Sequence, residues 1–307
     1  MLQRIIFSLL LAFTWASQVS AQTALLPVRE KPKPFAFATA AELRDYLRWT
    51  PQAKPLVSAH RGGPAGNLPE NTIEAFDYSH SLDPQVIIEC DVQLSRDSVL
   101  VMTHDDNLSR TAGLNVAVKA LTADSLVKIP LLDIFSRPSR YHMPTLDEVL
   151  VWSNNRSLLT VDVKRGIPYP KVLAAIQRAK AQNRALLITY NLADAEWCHA
   201  NDPEIILSVT VRNEKELEAL KASKVDLKRM VAFVGVTEPN RKLYEGLHAL
   251  GIRCILGILG NLEKKAMSKI GNAGVKIVRE FVKDGADILA TNEVEYVYSA
   301  LNWRGKL

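Results

Sequence analysis

The feature that most constrains this chain is a rhythm. Eight short aliphatic runs, at 56–59, 86–89, 158–163, 186–189, 205–209, 230–234, 252–256 and 287–290, are mostly followed by stretches with helical spacing, such as 214–221 and 241–250. Such runs are too short for helices and suit strands buried on both faces. Strands that alternate with helices pair in parallel through crossovers. Eight units of this kind predict an α/β protein with a (β/α)8 TIM-barrel fold. An open doubly wound sheet is the alternative, but no GxGxxG follows the first run.

One further run, 99–103, follows the second strand after only Ser95-Arg96-Asp97-Ser98. A parallel crossover needs about a dozen residues, so this run is expected to return antiparallel, as a hairpin. Pairing across that turn is expected to set His104 opposite Glu89 and close to Asp91. Residues 107–142 carry no clear period and are expected to form a small insertion above the barrel. Beyond them, Thr145 and Glu148 have the spacing of a capping box, which makes Glu148 structural.

The chain has 307 residues, 48% hydrophobic and 23% charged, a mix that supports a large globular core. Its start differs. Arg4 is the only charged residue before an apolar run from Ile5 to Trp15, and Val19-Ser20-Ala21 ends in small residues. Residues 1–21 therefore read as a signal peptide cleaved after Ala21. The apolar run is shorter than the roughly 20 residues that span a bilayer. No cysteine follows to carry a lipid. Residues 22–50, with Pro27, Pro32 and Pro34, form an N-terminal arm that turns helical near 40–48, and 51–307 form the barrel domain. The expectation is an exported protein, periplasmic or secreted, without stable membrane insertion. A net charge of +5 with no Lys/Arg run argues against nucleic acid and suits a small anionic substrate. Oligomeric state has no signature. Cys90, Cys198 and Cys254 are neither a disulfide framework nor a zinc motif. Cys90 should pack away from the site, and a Cys198–Cys254 bridge is left open.

The chemistry-bearing residues stand at strand ends, where catalytic groups of α/β barrels collect. Glu89 and Asp91, two apart on a strand, share a face, and Asp162 ends the third barrel strand. Three carboxylates at one mouth repel unless a cation sits among them. Oxygen ligands favour Ca²⁺ or Mg²⁺. His60, before Arg61-Gly62-Gly63, and His104, at the end of the hairpin, flank this cluster. A pair of imidazoles can take one proton and give another. Arg61 and Lys164 can neutralise a phosphate, and Lys164 shares the inward face of Asp162. His80, His142, His199 and His248 carry no motif.

His60-Arg61-Gly62, Pro69-Glu70-Asn71-Thr72, Glu89-x-Asp91, Ser95-Arg96-Asp97, His104-Asp105 and Pro144-Thr145-Leu146 together resemble the glycerophosphodiester phosphodiesterase family. The similarity runs in order from 56 to 164 and returns weakly at 285–292. The resemblance implies a metal-dependent (β/α)8 hydrolase of lipid metabolism, which cleaves deacylated phospholipids to glycerol phosphate and an alcohol. By position, Glu89 and Asp91 would bind the metal, and Asp162, where the family usually has Glu, would be the third ligand. His60 and His104 would be the acid/base pair. Arg61 and Lys164 would hold phosphate, with Glu70 and Asn71 at the mouth positioning substrate or a histidine. The family's Trp-Thr-Val-Asn stretch on the seventh strand is replaced by 255–261, which holds no aromatic residue. The identity of the alcohol is therefore open, as are the order of the two histidines and the choice between water attack and a cyclic phosphate. Two rivals are a phospholipase D-like phosphodiesterase acting on lysolipids or sphingolipids, with the insertion facing lipid, and a binding barrel without catalysis.

Overall fold

A computed structural model describes residues 32–269 and 272–302; the expected signal peptide lies outside the described residues. The strands are β1 (Leu56–Ala59), β2 (Ile87–Leu94), β3 (Leu100–Met102), β4 (Pro130–Leu132), β5 (Pro138–His142), β6 (Leu158–Val163), β7 (Ala185–Thr189), β8 (Ile206–Thr210), β9 (Met230–Phe233), β10 (Cys254–Gly257) and β11 (Ile288–Thr291). β1, β2, β6, β7, β8, β9, β10 and β11 pair in parallel in that order, and β1 pairs with both β2 and β11. The sheet therefore closes into the expected (β/α)8 barrel.

Inside the barrel, Leu56, Ile87, Leu158, Leu186, Ile206, Val231, Ile255 and Ile288 form one buried apolar cluster. Helix Ala40–Leu47, capped by Thr39, adds Leu43 and Leu47 to that cluster, and Phe35 joins them. The lumen is thus packed with side chains, and only its opposite, C-terminal end is left for polar groups. A second apolar layer lies between the strands and the surrounding helices and includes Cys90, Cys198 and Cys254. All three cysteines are buried and free, so the bridge left open between Cys198 and Cys254 does not form. Thr145 and Glu148 make the expected capping box.

β3 returns antiparallel to β2, but the register differs from expectation by one residue. Val92 faces Met102, and the Thr103 N–H donates to the Asp91 carbonyl, so Thr103 comes opposite Asp91, and His104 lies past the ladder instead of opposite Glu89. The cause is the turn. Ser95 and Val99 already exchange a backbone bond, and Ser98 takes a positive φ of 66°, which closes the hairpin with three residues instead of four. The insertion is more ordered than its sequence suggested. It holds helices Ser109–Ala112 and Ala123–Leu126 and the β4–β5 hairpin around a small core of Leu108, Val118, Leu126 and Leu131. Among the described residues, no helix is long and apolar enough to cross a membrane.

Candidate active site

The turn after β1 fixes the first side of the site. Arg61, Gly62 and Gly63 all have positive φ. A Cβ on Gly62 would fall 2.2 Å from the Phe76 ring, so only glycine fits there. This turn points the Arg61 N–H at Glu89 Oε2, 2.7 Å away. Asn71, also at positive φ, is buried and grips Asp91 twice. Its Nδ2 donates to Asp91 Oδ2 at 2.7 Å, and its Oδ1 accepts from the Asp91 N–H at 2.9 Å. Asn71 therefore positions the Asp91 carboxylate.

Asp91 on β2 pairs in register with Asp162 on β6. Ligand oxygens of Glu89, Asp91 and Asp162 all lie within 4.8 Å of one another, and all three residues are buried. Lys164 Nζ reaches Asp91 Oδ1 at 2.6 Å and Asp162 Oδ2 at 2.5 Å. Burial, then the charges of Asp91 and Asp162, push the Glu89 carboxyl well above its usual range. Burial would also raise Asp91, but the Lys164 ammonium and Asn71 hold it below that range. One ammonium among three buried carboxylates leaves excess negative charge, which is why Glu89 resists ionisation. A divalent cation with oxygen ligands fits this donor set. A second group, His248, Cys254 and Asp287, also comes close together. Its histidine and aspartate already satisfy each other at 2.8 Å, and Asp287 accepts the Cys254 N–H at 2.7 Å.

The two histidines have different partners. His60 Nδ1 donates to Asn292 Oδ1 at 2.8 Å, and Asn292 is held by Glu263 through its Nδ2 and its backbone N–H. Burial lowers His60, which favours the neutral ring, and with Nδ1 donating to Asn292 the neutral tautomer leaves Nε2 unprotonated. His104 Nδ1 donates to Asp105 Oδ1 at 2.7 Å. Asp105 is itself held by Arg110 Nε at 2.7 Å. Although burial opposes it, Arg110 and His104 hold the Asp105 carboxyl down to about 2. Arg110 also forks onto both oxygens of Glu70, at 2.7 and 2.8 Å, and Arg61 meets Glu70 from the other side. Glu70 thus braces two arginines. Arg61 Nε is buried without a hydrogen-bond partner among the described residues, 3.9 Å from Asp91 Oδ2.

Sequence reasoning missed Tyr190, Asn292, Asp105 and Arg110 as working parts. Tyr190 Oη donates to Asp162 Oδ1 at 2.7 Å. Tyr190 directly follows β7, so the strand-end rule that found Asp162 could have found it. Asp105 and Asn292 stand inside quoted motifs, but nothing local reveals what they hold. Arg110 gave no signal, because its partners are 40 and 5 residues away across a loop.

The fold and site together define a closed (β/α)8 barrel with a candidate metal site at its mouth, flanked by two oriented histidines and two arginines joined through Glu70. The family profile described as the glycerophosphoryl diester phosphodiesterase family matches residues 60–288, and the chain belongs to that family. A glycerophosphodiester phosphodiesterase of Caldanaerobacter subterraneus subsp. tengcongensis is 34% identical over 145 residues, 45% of this chain and 59% of that protein. Lysophospholipase D GDPD3 of Homo sapiens is 31% identical over 183 residues, 55% of this chain and 56% of that protein. The chain thus spans under two thirds of the length of these curated relatives. Among solved structures, a glycerophosphoryl diester phosphodiesterase from Parabacteroides distasonis shares the fold with a TM-score of 0.82 at 23% identity, covering 88% of this chain and 94% of that one. An Oleispira antarctica phosphodiesterase, solved with the product sn-glycerol-3-phosphate, gives a TM-score of 0.63 at 20% identity over 81% and 98%.

Proposed function

We propose that this protein hydrolyses glycerophosphodiesters to glycerol phosphate and an alcohol, with His60 and His104 as the acid/base pair. The observation that carries the reading is the convergence of Glu89, Asp91 and Asp162 within 4.8 Å, between two histidines whose Nδ1 atoms are both committed to orienting partners. A Ca²⁺ or Mg²⁺ ion held by the three carboxylates would withdraw electron density from the phosphoryl oxygens. Arg61 Nε and Lys164 Nζ offset the remaining phosphate charge. His60 is the base, because burial keeps it neutral and Asn292 fixes the Nδ1–H tautomer, leaving Nε2 to accept the proton of the nucleophile. His104 takes the complementary role of acid, with its Nδ1 held by the Asp105 carboxylate. Its Nε2–H can then protonate the leaving oxygen. Asn71 and Tyr190 hold the carboxylates in place while phosphate charge moves.

The test is product analysis on several glycerophosphodiesters with Ca²⁺ or Mg²⁺, repeated after chelation. The expected result is glycerol phosphate and free alcohol, lost on chelation and restored by the cation. No hydrolysis of any diester in the presence of either cation would support the non-catalytic barrel instead. We also propose that residues 1–21 direct export; a mature chain beginning at Gln22 by mass spectrometry checks this.

A further inference from the structure

At the end of the barrel opposite the carboxylates, His248, Cys254 and Asp287 meet. His248 closes helix Arg241–His248, Cys254 opens β10, and Asp287 directly precedes β11. A ring nitrogen of His248, the Cys254 sulfur and a carboxylate oxygen of Asp287 all lie within 4.8 Å of one another. Backbone bonds hold these segments together. The Asp287 N–H donates to the Cys254 carbonyl at 3.0 Å, and the Ile252 N–H donates to the Leu247 carbonyl at 3.1 Å. From the arm, the Trp49 N–H donates to the Gly251 carbonyl at 2.9 Å. The Trp49 ring stacks on His248, with centroids 4.2 Å apart and planes 12° apart. That stacking fixes the imidazole plane, so the ring turns its edge, and with it a nitrogen, toward the other two groups.

The donors of this cluster are only partly used. Both bonds to Asp287, from His248 Nε2 and from the Cys254 N–H, fall on Oδ2, and Oδ1 has no hydrogen-bond partner among the described residues. The Cys254 sulfur is fully buried and likewise has none, whereas the Cys90 thiol donates to the Thr160 carbonyl at 3.9 Å. The His248 and Asp287 side chains each keep 12% exposure, so the cluster is open to solvent on one side. An Asp–His hydrogen bond at a strand end does not by itself call for an unpartnered sulfur beside it.

We infer that His248, Cys254 and Asp287 form a second cation site, separate from the carboxylate triad and suited to a thiophilic divalent ion of the zinc class. One thiolate, one carboxylate and one neutral imidazole carry two negative charges, which a divalent ion cancels. Such neutrality matters where charges are largely removed from water. Sulfur, nitrogen and oxygen together are the donors of a tetrahedral zinc site, and water takes the fourth position from the exposed side. On binding, the Cys254 thiol loses its proton to solvent, the imidazole keeps its proton on the nitrogen that does not bind, and the His248–Asp287 hydrogen bond gives way to two bonds to the ion. The triad has oxygen donors alone and suits Ca²⁺ or Mg²⁺, so the two ends of the barrel sort cations by softness. The ion ties helix Arg241–His248 to β10 and β11 and, through Trp49, to the N-terminal arm. It is a staple on the lower rim and takes no part in hydrolysis, so the inference does not depend on the diesterase reading.

Cd²⁺ is the probe, because thiolate ligation gives it an ultraviolet charge-transfer band that oxygen ligands do not give. The full-length protein, with its thiols reduced, is titrated with Cd²⁺ in an excess of Ca²⁺ that keeps the triad supplied with a hard cation. The expected result is a band that saturates at a single ion per chain, persists in Cys198→Ala and is absent in Cys254→Ser. Zn²⁺ should compete the band away. It should also raise the thermal midpoint of the wild-type chain but not that of Cys254→Ser. His248→Gln keeps a hydrogen-bond donor for Asp287 and removes a ligand. Its affinity for Cd²⁺ should fall by about tenfold or more. This variant carries the test if Cys254→Ser fails to fold. No saturable band in the wild-type chain, a band that survives in Cys254→Ser, or unchanged Cd²⁺ affinity in His248→Gln overturns the site.

Discussion

His60 and His104 carry the same ring to the same cluster, but the protein holds them by opposite means. His60 directly follows β1 and is oriented by a neutral amide 232 residues away, on the loop after β11. Its partner exists only because the barrel closes β11 against β1. His104 is oriented by the carboxylate next to it in sequence, and that carboxylate is steadied by Arg110 of the insertion. Burial lowers the proton affinity of the His60 ring, whereas the His104 ring has a carboxylate as its partner. On the proposed mechanism, acid and base roles follow from the second partner of each ring and not from the ring's place at a strand end.

The strongest way to break this comparison is to remove the rings. His60→Ala and His104→Ala are each expected to lower turnover by roughly 10²–10⁴-fold with the fold intact. Near wild-type rates in either variant would end the paired assignment. Next come the partners that hold charge. Asp105→Asn and Asn71→Ala should each cost about 10- to 100-fold. The second should also weaken cation affinity, read by titration of the metal against activity, because it frees Asp91. Unchanged cation affinity in Asn71→Ala would show that Asp91 holds its position alone.

A finer test uses pH. Burial lowers His60, so the acid limb of kcat/KM should fall below the usual imidazole value of about 6.5. The bond to Asn292 works against that shift. Asn292→Ala should therefore move the limb to still lower pH, with a rate loss of about tenfold at its plateau from a ring left free to turn. A limb that moves up would contradict the assignment of His60 as the buried neutral base.

The smallest effect concerns a histidine outside the comparison, and it separates structure from catalysis. His199 bonds the Arg229 carbonyl and accepts the Asp226 N–H, and burial pushes it down to about 4. The unfolded chain, with an ordinary imidazole, binds more protons than the native one between about pH 4 and 6.5. The contribution of His199 to stability is thus complete above that window and is lost as pH falls through it. Urea midpoints should drop from pH 7 to pH 4.5, and His199→Gln should flatten that slope. An identical slope in the variant would assign the acid sensitivity to other groups.

Much of this protein is written locally. The length and aliphatic character of each run favour strands buried on both faces, and their alternation with helical stretches favours a parallel sheet. The two-residue period puts Glu89 with Asp91 and Asp162 with Lys164. The hairpin after β2 follows from a link too short to cross over. Other features had no local cause to read. The one-residue shift of the hairpin depends on Ser98 entering positive φ, a choice of turn that composition does not declare. Asn71, Tyr190, Arg110 and Asn292 acquire their partners only when distant strand ends meet at one mouth. Sequence period decides which way a side chain points; only closure decides what stands opposite it, because loop ends far apart in the chain have no fixed distance until the sheet seals.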